Sequence, residues 1–275
     1  MQAPIPFPPA AIPSSTDAAR SAIAGTTPVS TTWIVPVYNE ESRLGGNVET
    51  ILSAAEARGD CEVLFVDDGS TDRTAVRLGE LVAGHPCARV IRYPINRGKG
   101  GAIAAGMQAA HGGIVFFFDI DLSTPLAYVA PFVGAFADPE VQVVIGTRLS
   151  ARSHIRHGQS WVRRHLGGVF RRLSGILVPG VSDFTCGFKA FRRAAGQHLF
   201  GMSLVQDWSF DTEILYLARR HGYEIVEIPV QWEHVEGSKV HMLRNGLTSL
   251  CQLIAIPLRY RLGMNRRRLR QQASR

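Results

Sequence analysis

Two carboxylates follow a short apolar run near the middle of the chain. Asp119 and Asp121 are separated by one residue, and residues 114–118 before them are all apolar. A continuous apolar run of this length is typical of a strand that is buried on both faces of a parallel sheet. Two carboxylates this close repel each other unless a cation lies between them, and Mg²⁺ or Mn²⁺ suits such hard oxygen ligands. The pattern indicates either a divalent metal site that also binds substrate phosphates or a solvated turn.

Polar segments also follow four other predicted strands. They contain Glu40 after residues 33–37, Asp67 and Asp68 after residues 61–66, Lys99 after residues 88–93, and Arg148 after residues 141–146. Strands that alternate with helix-like segments at this spacing predict right-handed βαβ units, and therefore an α/β fold with a doubly wound, mostly parallel sheet. Ligands bind at the carboxyl ends of strands in such sheets, so we expect these side chains to converge on one edge.

The loops leave several local alternatives open. For the first two helices, the candidate N-caps are Asn39 or Ser42 and Ser70 or Thr71. The glycine-rich turn at residues 96–101 has neither the P-loop spacing nor a GxGxxG pattern. It is therefore either a phosphate-binding turn or a tight turn before a helix.

The second half of the domain is predicted to contain a further strand and helix. Residues 182–191 resemble a loop that leads into a short strand, and residues 206–221 form an amphipathic pattern typical of a helix. Asp207 and Asp211 lie at the start of that helix. They are candidates for a sugar contact or a general base, or else they are charges that interact favourably with the helix dipole.

Composition divides the chain into three segments. Residues 1–30 are rich in proline, alanine, serine and threonine, which predicts a disordered tail. Residues 31–241 contain all the motifs and are expected to form one domain. Residues 242–275 combine apolar residues up to Leu258 with six arginines through Arg270, which suits an amphipathic, basic segment at a membrane surface. The alternative is a helix packed on the core, followed by a solvated tail.

Bulk properties narrow the class of protein. The net charge is +7, which could attract nucleic acid, anionic lipid or phosphorylated substrates. No helix-turn-helix, zinc-finger or RNP pattern is present, so we expect no nucleic-acid partner. The four cysteines form no CxxC pair, which favours reduced thiols and a cytoplasmic location. The sequence contains no signal-peptide pattern and no apolar run of the roughly 18–20 residues that a membrane span needs.

Taken in order, four motifs resemble those of the inverting family 2 glycosyltransferases, which have the GT-A fold. They are VPVYNE at 35–40, VDDGSTD at 66–72, NRGKG at 96–100 and DID at 119–121. The resemblance covers about residues 31–241. Within the family, the similarity extends to the polyprenol-phosphate hexosyltransferases, especially the dolichyl-phosphate glucosyltransferases. The segments that carry it are DIDLSTP at 119–125, GTR at 146–148, TCGFK at 185–189 and GSK at 237–239.

The resemblance implies roles for individual residues. The donor-binding set would be Pro36, Tyr38, Glu40, Asp67, Asp68, Lys99, Asp119, Ile120 and Asp121. The acceptor phosphate would be bound by Arg148, Arg163, Arg164 and Lys239. The metal, Mg²⁺ or Mn²⁺, would be held by Asp119, Asp121 and Ser123. The residues with catalytic roles would be Asp121, Arg148, Asp207 and Asp211.

The reaction implied by the resemblance is transfer of a hexose, specifically glucose from UDP-glucose, to a polyprenyl or dolichyl phosphate with inversion. The enzyme would act peripherally at the cytoplasmic face of a membrane. Two positions depart from the mannose-synthase pattern, because Ser123 replaces a frequent glutamine ligand and His234 replaces an arginine. Both favour the glucosyl branch. A GDP-mannose-dependent polyprenol-phosphate mannose synthase and a soluble family 2 transferase with a non-lipid acceptor are the alternatives.

Overall fold

The computed structural model describes residues 30–148, 172–207, 209–233, 253 and 255–260. Within these ranges the chain folds around one seven-stranded sheet. The strands are β1 Thr31–Val37, β2 Cys61–Asp67, β3 Ala88–Arg92, β4 Ile114–Phe117, β5 Val141–Thr147, β6 Lys189–Arg192 and β7 Glu224–Pro229. The helices are α1 Leu44–Arg58, α2 Thr74–Val82, α3 Lys99–Ala109, α4 Val129–Ala135, α5 Arg193–Met202 and α6 Phe210–Arg220. A 3₁₀ turn, Leu126–Tyr128, precedes α4, and residues 172–177 and 255–260 are also helical.

The strand order across the sheet is β3-β2-β1-β4-β6-β5-β7. The first four strands of this order are parallel, and β7 is parallel to β5, whereas β6 is antiparallel to both β4 and β5. The predicted mostly parallel α/β sheet is therefore confirmed, and the short strand expected within residues 182–191 is β6. Its antiparallel direction follows from the connection, because the chain leaves β5 at the carboxyl edge and re-enters the sheet from that same edge.

Two hydrophobic clusters cover the two faces of the sheet. In β1, Trp33 and Val35 belong to one cluster and Ile34 to the other, as the strand alternation requires. All seven residues of β2 are buried. Strands that are buried on both faces explain why their sequences are nearly continuous apolar runs. This rigid sheet fixes the positions of the loops at its carboxyl edge.

Part of the C-terminal segment packs on the core. Leu253, Ile256 and Tyr260 are buried in the cluster that contains α3, α5 and α6. The Tyr260 hydroxyl donates to Glu213 Oε1 at 2.8 Å, and burial beside this carboxylate raises the pKa of Tyr260. Leu258 is exposed. The core-packing alternative therefore describes these few residues, while most of the predicted 242–275 segment and the 1–30 tail lie outside the described residues.

No helix among the described residues has the length and apolar character needed to span a bilayer.

Candidate active site

The loops after β1 and β2 are bound directly to each other. Asn39, which has a φ of 54°, donates its backbone N–H to Ser70 Oγ at 2.9 Å and accepts the Thr71 N–H on its side-chain oxygen at 2.8 Å. The prediction that these residues cap helices is wrong. The N-cap residues are Arg43 for α1 and Arg73 for α2, and neither makes a side-chain capping bond. The polar side chains instead hold the two loops in register at the edge of the sheet.

The two consecutive aspartates at the end of β2 are both buried but have different partners. Asp67 is fully buried, accepts the Ser70 N–H on Oδ1 at 3.0 Å and pairs through Oδ2 with Arg92 Nε at 3.0 Å. Asp68 accepts the backbone N–H of Arg97 at 2.7 Å. Burial raises the pKa of Asp68, and the Arg97 N–H only partly opposes this. The bonds of Asp67 to Ser70 and Arg92 therefore stabilise the loop after β2.

Three other residues of the predicted donor-binding set lie at the end of β1 or in the loop that follows it. Tyr38 is 41% exposed, so its ring is accessible to a ligand. Pro36 is half-buried within β1, opposite Val66. Glu40 is half-buried, donates its backbone N–H to Thr74 Oγ1 at 2.8 Å and lies 3.6 Å from the Arg43 guanidinium.

The DxD segment forms a turn immediately after β4. The Asp119 carbonyl accepts the Leu122 N–H at 3.2 Å. Asp121 Oδ1 accepts both the backbone N–H and the hydroxyl of Ser123, at 3.0 and 2.8 Å. The Ile120 side chain is buried in the core, so only its backbone is available to a donor. Ser123, predicted as a metal ligand, orients the Asp121 carboxylate in this structure.

Lys99, the first residue of α3, lies against this turn. Its Nζ is 2.5 Å from Asp119 Oδ1, and the Asp119 side chain is 42% exposed. Burial lowers the pKa of Lys99, but the carboxylates of Asp119, Asp211 and Asp121 outweigh it, so the net shift is upward. The side chain is therefore positively charged at neutral pH.

The glycine-rich turn before α3 serves close packing. The Gln206 carbonyl accepts the N–H groups of Gly100 and Gly101 at 2.9 and 3.4 Å. A Cβ on Gly98 would lie 2.5 Å from the same carbonyl oxygen, and one on Gly100 would lie 2.7 Å from the Phe210 Cβ. Two N–H groups that a phosphate-binding turn would offer are thus already bonded, so the tight-turn alternative describes this segment.

A second lysine forms a buried ion pair behind the DxD turn. Lys189 Nζ donates to Asp211 Oδ1 and to the Cys186 carbonyl, both at 2.6 Å. The two charged side chains are only 1% and 7% exposed. Burial raises the pKa of Asp211, and the charges of Lys189 and Lys99 oppose that rise. Asp211, predicted as catalytic, therefore anchors the 186–189 loop to the start of α6.

Asp207 is used as a local turn residue. Its Oδ1 accepts the backbone N–H of Ser209 at 2.9 Å, just before α6 begins at Phe210. The helix thus starts later than the predicted residue 206. Asp207 therefore lies just before the helix, and its predicted catalytic role stays a prediction.

Arg148 follows β5 and is held by a bidentate ion pair. Its Nε and Nη2 atoms donate to the two carboxylate oxygens of Asp183 at 2.8 and 2.9 Å, and Nη2 also donates to Thr185 Oγ1 at 2.7 Å. Burial alone would raise the pKa of Asp183, but the Arg148 guanidinium outweighs burial and lowers it. The guanidinium carbon lies 5.6 Å from the Trp232 ring centroid. The other predicted acceptor residues, Arg163, Arg164 and Lys239, lie outside the described residues.

The carboxylate oxygens of the DxD turn are suitable ligands for a hard divalent cation. Asp119 is partly exposed and Asp121 is held by one oxygen, so oxygen ligands face the edge where the loops meet. The described residues contain no cluster of three or more metal-ligating His, Cys, Asp or Glu side chains. An ion bound here would complete its shell with water and substrate oxygens, which is the usual arrangement for Mg²⁺ with phosphates.

Comparison with known sequences decides the family. Residues 32–200 match the sequence family described as Glycosyl transferase family 2. The chain belongs to this family. It is 34% identical over 244 residues to the dolichyl-phosphate beta-glucosyltransferase of Homo sapiens, covering 84% of this chain and 75% of the relative. It is 33% identical over 246 residues to a protein of the same name from Trichomonas vaginalis, covering 84% and 74%.

Solved structures with the same fold support the architecture of this family 2 glycosyltransferase. Glucosyl-3-phosphoglycerate synthase of M. tuberculosis superposes with a TM-score of 0.60 at 22% identity, over 85% of this chain and 81% of that one. Mannosyl-3-phosphoglycerate synthase of Rubrobacter xylanophilus gives 0.61 at 19% identity, over 85% and 75%. The predicted GT-A fold and the prediction of a glycosyltransferase are confirmed.

Several residues that organise the edge of the sheet were not among the predicted site residues. They are Asn39, Asp183, Gly187 and Lys189. The segment 182–191 had been identified only as a loop and strand that contain a family motif. Two features of the sequence could have indicated these residues. Lys189 is one of only three lysines in the chain, and Asp183 lies next to Ser182 in a short polar segment between apolar residues.

Proposed function

We propose that this enzyme transfers glucose from UDP-glucose to a dolichyl or other polyprenyl phosphate, with inversion at the anomeric carbon. The observation that carries the proposal is the similarity to the dolichyl-phosphate beta-glucosyltransferases, which extends over 84% of this chain and three quarters of the human relative. The arrangement of the site supports the same chemistry, because the Lys99–Asp119 and Arg148–Asp183 pairs lie on the same edge of the sheet.

The nucleotide end of the donor fits the loops after β1 and β2. Tyr38 presents an exposed ring that can stack on a base, and the half-buried Glu40 provides oxygens that can accept hydrogen bonds from the base or the ribose. Asp68 is only 3% exposed and already accepts the Arg97 N–H, so a base would reach its carboxylate only at the free edge of that bond. The diphosphate would then extend toward Lys99 and the DxD turn. Lys99 can hold a phosphate oxygen through its charged amine.

Asp119 and Asp121 are the residues that would hold a divalent cation, Mg²⁺ or Mn²⁺. When bound, this ion neutralises the charge that develops on the leaving nucleoside diphosphate. Solved neighbours with the same fold support this assignment, since one M. tuberculosis glucosyl-3-phosphoglycerate synthase structure contains Mn²⁺ together with UDP-glucose. Ser123 keeps the Asp121 carboxylate oriented toward the site.

The acceptor needs positioning more than activation. A phosphate monoester has a second pKa of about 6, so it is already an anionic nucleophile near neutral pH and requires no general base. Its oxygen attacks the anomeric carbon of glucose while the bond to the diphosphate oxygen breaks. Arg148 supplies a positive charge on the same edge of the sheet, and the bidentate pairing with Asp183 fixes the direction of its guanidinium. Asp207 and Asp211 are therefore not needed as bases.

Donor and acceptor screening tests the proposal. The full chain is incubated with labelled UDP-glucose or GDP-mannose and with a polyprenyl phosphate or 3-phosphoglycerate as acceptor. We expect labelled lipid only from UDP-glucose with the polyprenyl phosphate, and a β-linked product by NMR. Transfer from GDP-mannose would favour the mannose-synthase alternative, and transfer to 3-phosphoglycerate would favour the soluble-acceptor alternative.

We also propose that the enzyme acts at the cytoplasmic face of a membrane, because a polyprenyl tail stays in the bilayer. The arginines between Arg259 and Arg270 would contribute about 1 kcal/mol each near an anionic surface, a contribution that salt screens. The full chain should therefore sediment with anionic liposomes at low salt and much less at high salt. Truncation after residue 260, which keeps the buried Tyr260, should reduce this binding. If the truncated chain bound liposomes equally well, the arginines at 261–270 would have no membrane role.

A further inference from the structure

The Lys99–Asp119 ion pair occupies a carboxylate that the proposed metal site requires. Lys99 Nζ lies 2.5 Å from Asp119 Oδ1. An ammonium group at this distance occupies the position that a metal cation would take on that oxygen. A divalent ion that uses Asp119 must therefore displace the Lys99 ammonium or share the carboxylate with it.

Asp119 has little freedom to avoid this competition. Its other oxygen, Oδ2, lies against Gly187, where even a Cβ would overlap it. Gly187 follows Cys186, whose carbonyl is fixed by the buried Lys189 Nζ at 2.6 Å. Lys189 is in turn paired with Asp211. The carboxylate of Asp119 thus has a lysine at one oxygen and an anchored backbone close to the other, while its side chain is 42% exposed.

Lys99 can change partners by rotating its side chain. The side chain is only 12% exposed, but its ammonium is carried on a flexible four-carbon stem and has three rotatable donors. A nucleoside diphosphate in the neighbouring space would offer new anionic oxygens to this ammonium. Moving onto a phosphate would leave Asp119 to the metal without leaving the lysine charge unpaired.

We propose that Lys99 is an internal counter-ion that competes with the metal for Asp119 and transfers to the donor diphosphate when the donor binds. The inference rests on the proposed function, since it requires a diphosphate and a divalent ion in this site. The movement of Lys99 then adds to any cooperativity that direct contact between the metal and the nucleotide would produce. Because coupling between two ligands is reciprocal, each raises the affinity for the other by the same factor.

Mn²⁺ binding to the full chain, measured by calorimetry with and without UDP, tests this proposal. In the wild type, UDP should raise the Mn²⁺ affinity by at least about fivefold, the lower end of typical coupling. Lys99→Met removes the competitor, so Mn²⁺ alone should bind at least about fivefold more tightly, while UDP binding in the presence of Mn²⁺ weakens. The two changes have opposite signs, which a purely structural lysine or a simple phosphate ligand would not produce.

Arg97→Met is the matched control for the loss of one positive charge. Arg97 lies two residues away and packs over the Tyr93 ring, so its side chain is not the partner of Asp119. This variant should leave the affinity for Mn²⁺ alone within about twofold of the wild type, on the scale of a screened surface charge. An equal gain in Arg97→Met would overturn the proposal, because the gain would then come from net charge.

Other outcomes separate this inference from the proposed function. Unchanged or weaker binding of Mn²⁺ alone by Lys99→Met would overturn the inference while leaving glucosyl transfer in place. If this variant does not fold, Lys99→Gln and the wild-type measurement decide, since Mn²⁺ affinity that is independent of UDP in the wild type also overturns it. If the wild type bound neither UDP nor Mn²⁺, the proposed function would fail as well.

Discussion

The two ends of the sheet use carboxylates in opposite ways. At the amino end, Glu62 of β2 accepts hydrogen bonds from Thr32 Oγ1, from the Arg89 guanidinium, and from the backbone and ring nitrogens of His111. Burial alone would raise the pKa of Glu62, but these donors outweigh burial and lower it. The carboxylate ties β1, β2, β3 and the residues before β4 together.

The carboxylates at the carboxyl end are less completely bonded by the protein. Asp119 is 42% exposed and meets one lysine, and Asp121 is held by Ser123 through a single oxygen. The Glu62 side chain is only 11% exposed. A carboxylate surrounded by protein donors stabilises the fold, whereas one that keeps accessible oxygens can bind a ligand. The difference lies in the partners and the exposure, because both ends carry acidic and basic residues.

The largest expected effect comes from changing a carboxylate at the carboxyl end. Asp121→Asn removes one negative ligand from the proposed metal site and keeps the side-chain shape. Transfer should fall by about a hundredfold or more, because metal charge stabilisation of a transition state is worth several kcal/mol. The melting temperature should stay close to that of the wild type. Steady-state transfer assays and thermal unfolding measure the two quantities.

Glu62→Gln makes the same chemical change at the other end and serves as the matched control. The folded fraction of this variant should retain wild-type transfer and wild-type Mn²⁺ affinity. The proposed contrast between the two ends of the sheet would be contradicted if Asp121→Asn retained full activity, or if the wild type were fully active in EDTA. Either result would remove the metal from the DxD turn.

A smaller effect is expected on the acceptor side. Asp183→Asn keeps the shape of the side chain but weakens the bidentate pairing that directs Arg148. Hydrogen bonds to charged groups are worth about 1.5–3 kcal/mol, so the KM for polyprenyl phosphate should rise roughly tenfold or more. UDP affinity, measured by calorimetry, should not change. An equal loss of UDP affinity would assign the Arg148–Asp183 pair to the donor side.

Arg148→Lys extends the same test. A lysine cannot reproduce the two parallel hydrogen bonds of a guanidinium, so this variant should show a raised acceptor KM similar to that of Asp183→Asn. A double variant that is no worse than either single variant would indicate that the two residues act as one unit. Additive losses would mean that Asp183 acts independently of Arg148.

The sequence predicted the parallel part of the sheet because its information is local. β1, β2 and β4 are short apolar runs followed directly by polar residues, and parallel strands bring those residues to one edge. Asp119, Asp121 and Lys99 were therefore predicted at a common edge, and two of them are in direct contact. The apolar runs of the strands and the βαβ connections between them were sufficient to predict that these residues share an edge.

The remaining features depend on contacts between distant parts of the chain. The direction of β6 is set by a long connection from β5, and no local pattern encodes it. The Arg148–Asp183 and Lys189–Asp211 pairs join residues 35 and 22 positions apart. Asn39 resembled a helix cap because its polar side chain suits both a cap and a loop–loop bond. Only the tertiary structure selects between such partners.

The smallest expected effect is the contribution of Glu62 to stability. Glu62→Gln leaves Arg89 without its anionic partner, which should lower the free energy of unfolding by about 1–3 kcal/mol. Urea unfolding at pH 7 measures this difference. The loss should be accompanied by unchanged activity of the folded enzyme, since Glu62 lies at the end of the sheet opposite the DxD turn.

The pH dependence of that difference sharpens the comparison. The pKa of Glu62 is lowered in the folded state from its ordinary value of 4.5, so the folded protein binds this proton less readily than the unfolded chain does. The stabilisation is therefore complete above about pH 5 and is lost as the pH falls through the folded pKa, below 4.5. The difference in stability between the wild type and Glu62→Gln should therefore shrink progressively as the pH falls below about 4.5. A difference that persisted unchanged at pH 3 would show that packing, and not the carboxylate charge, makes Glu62 stabilising.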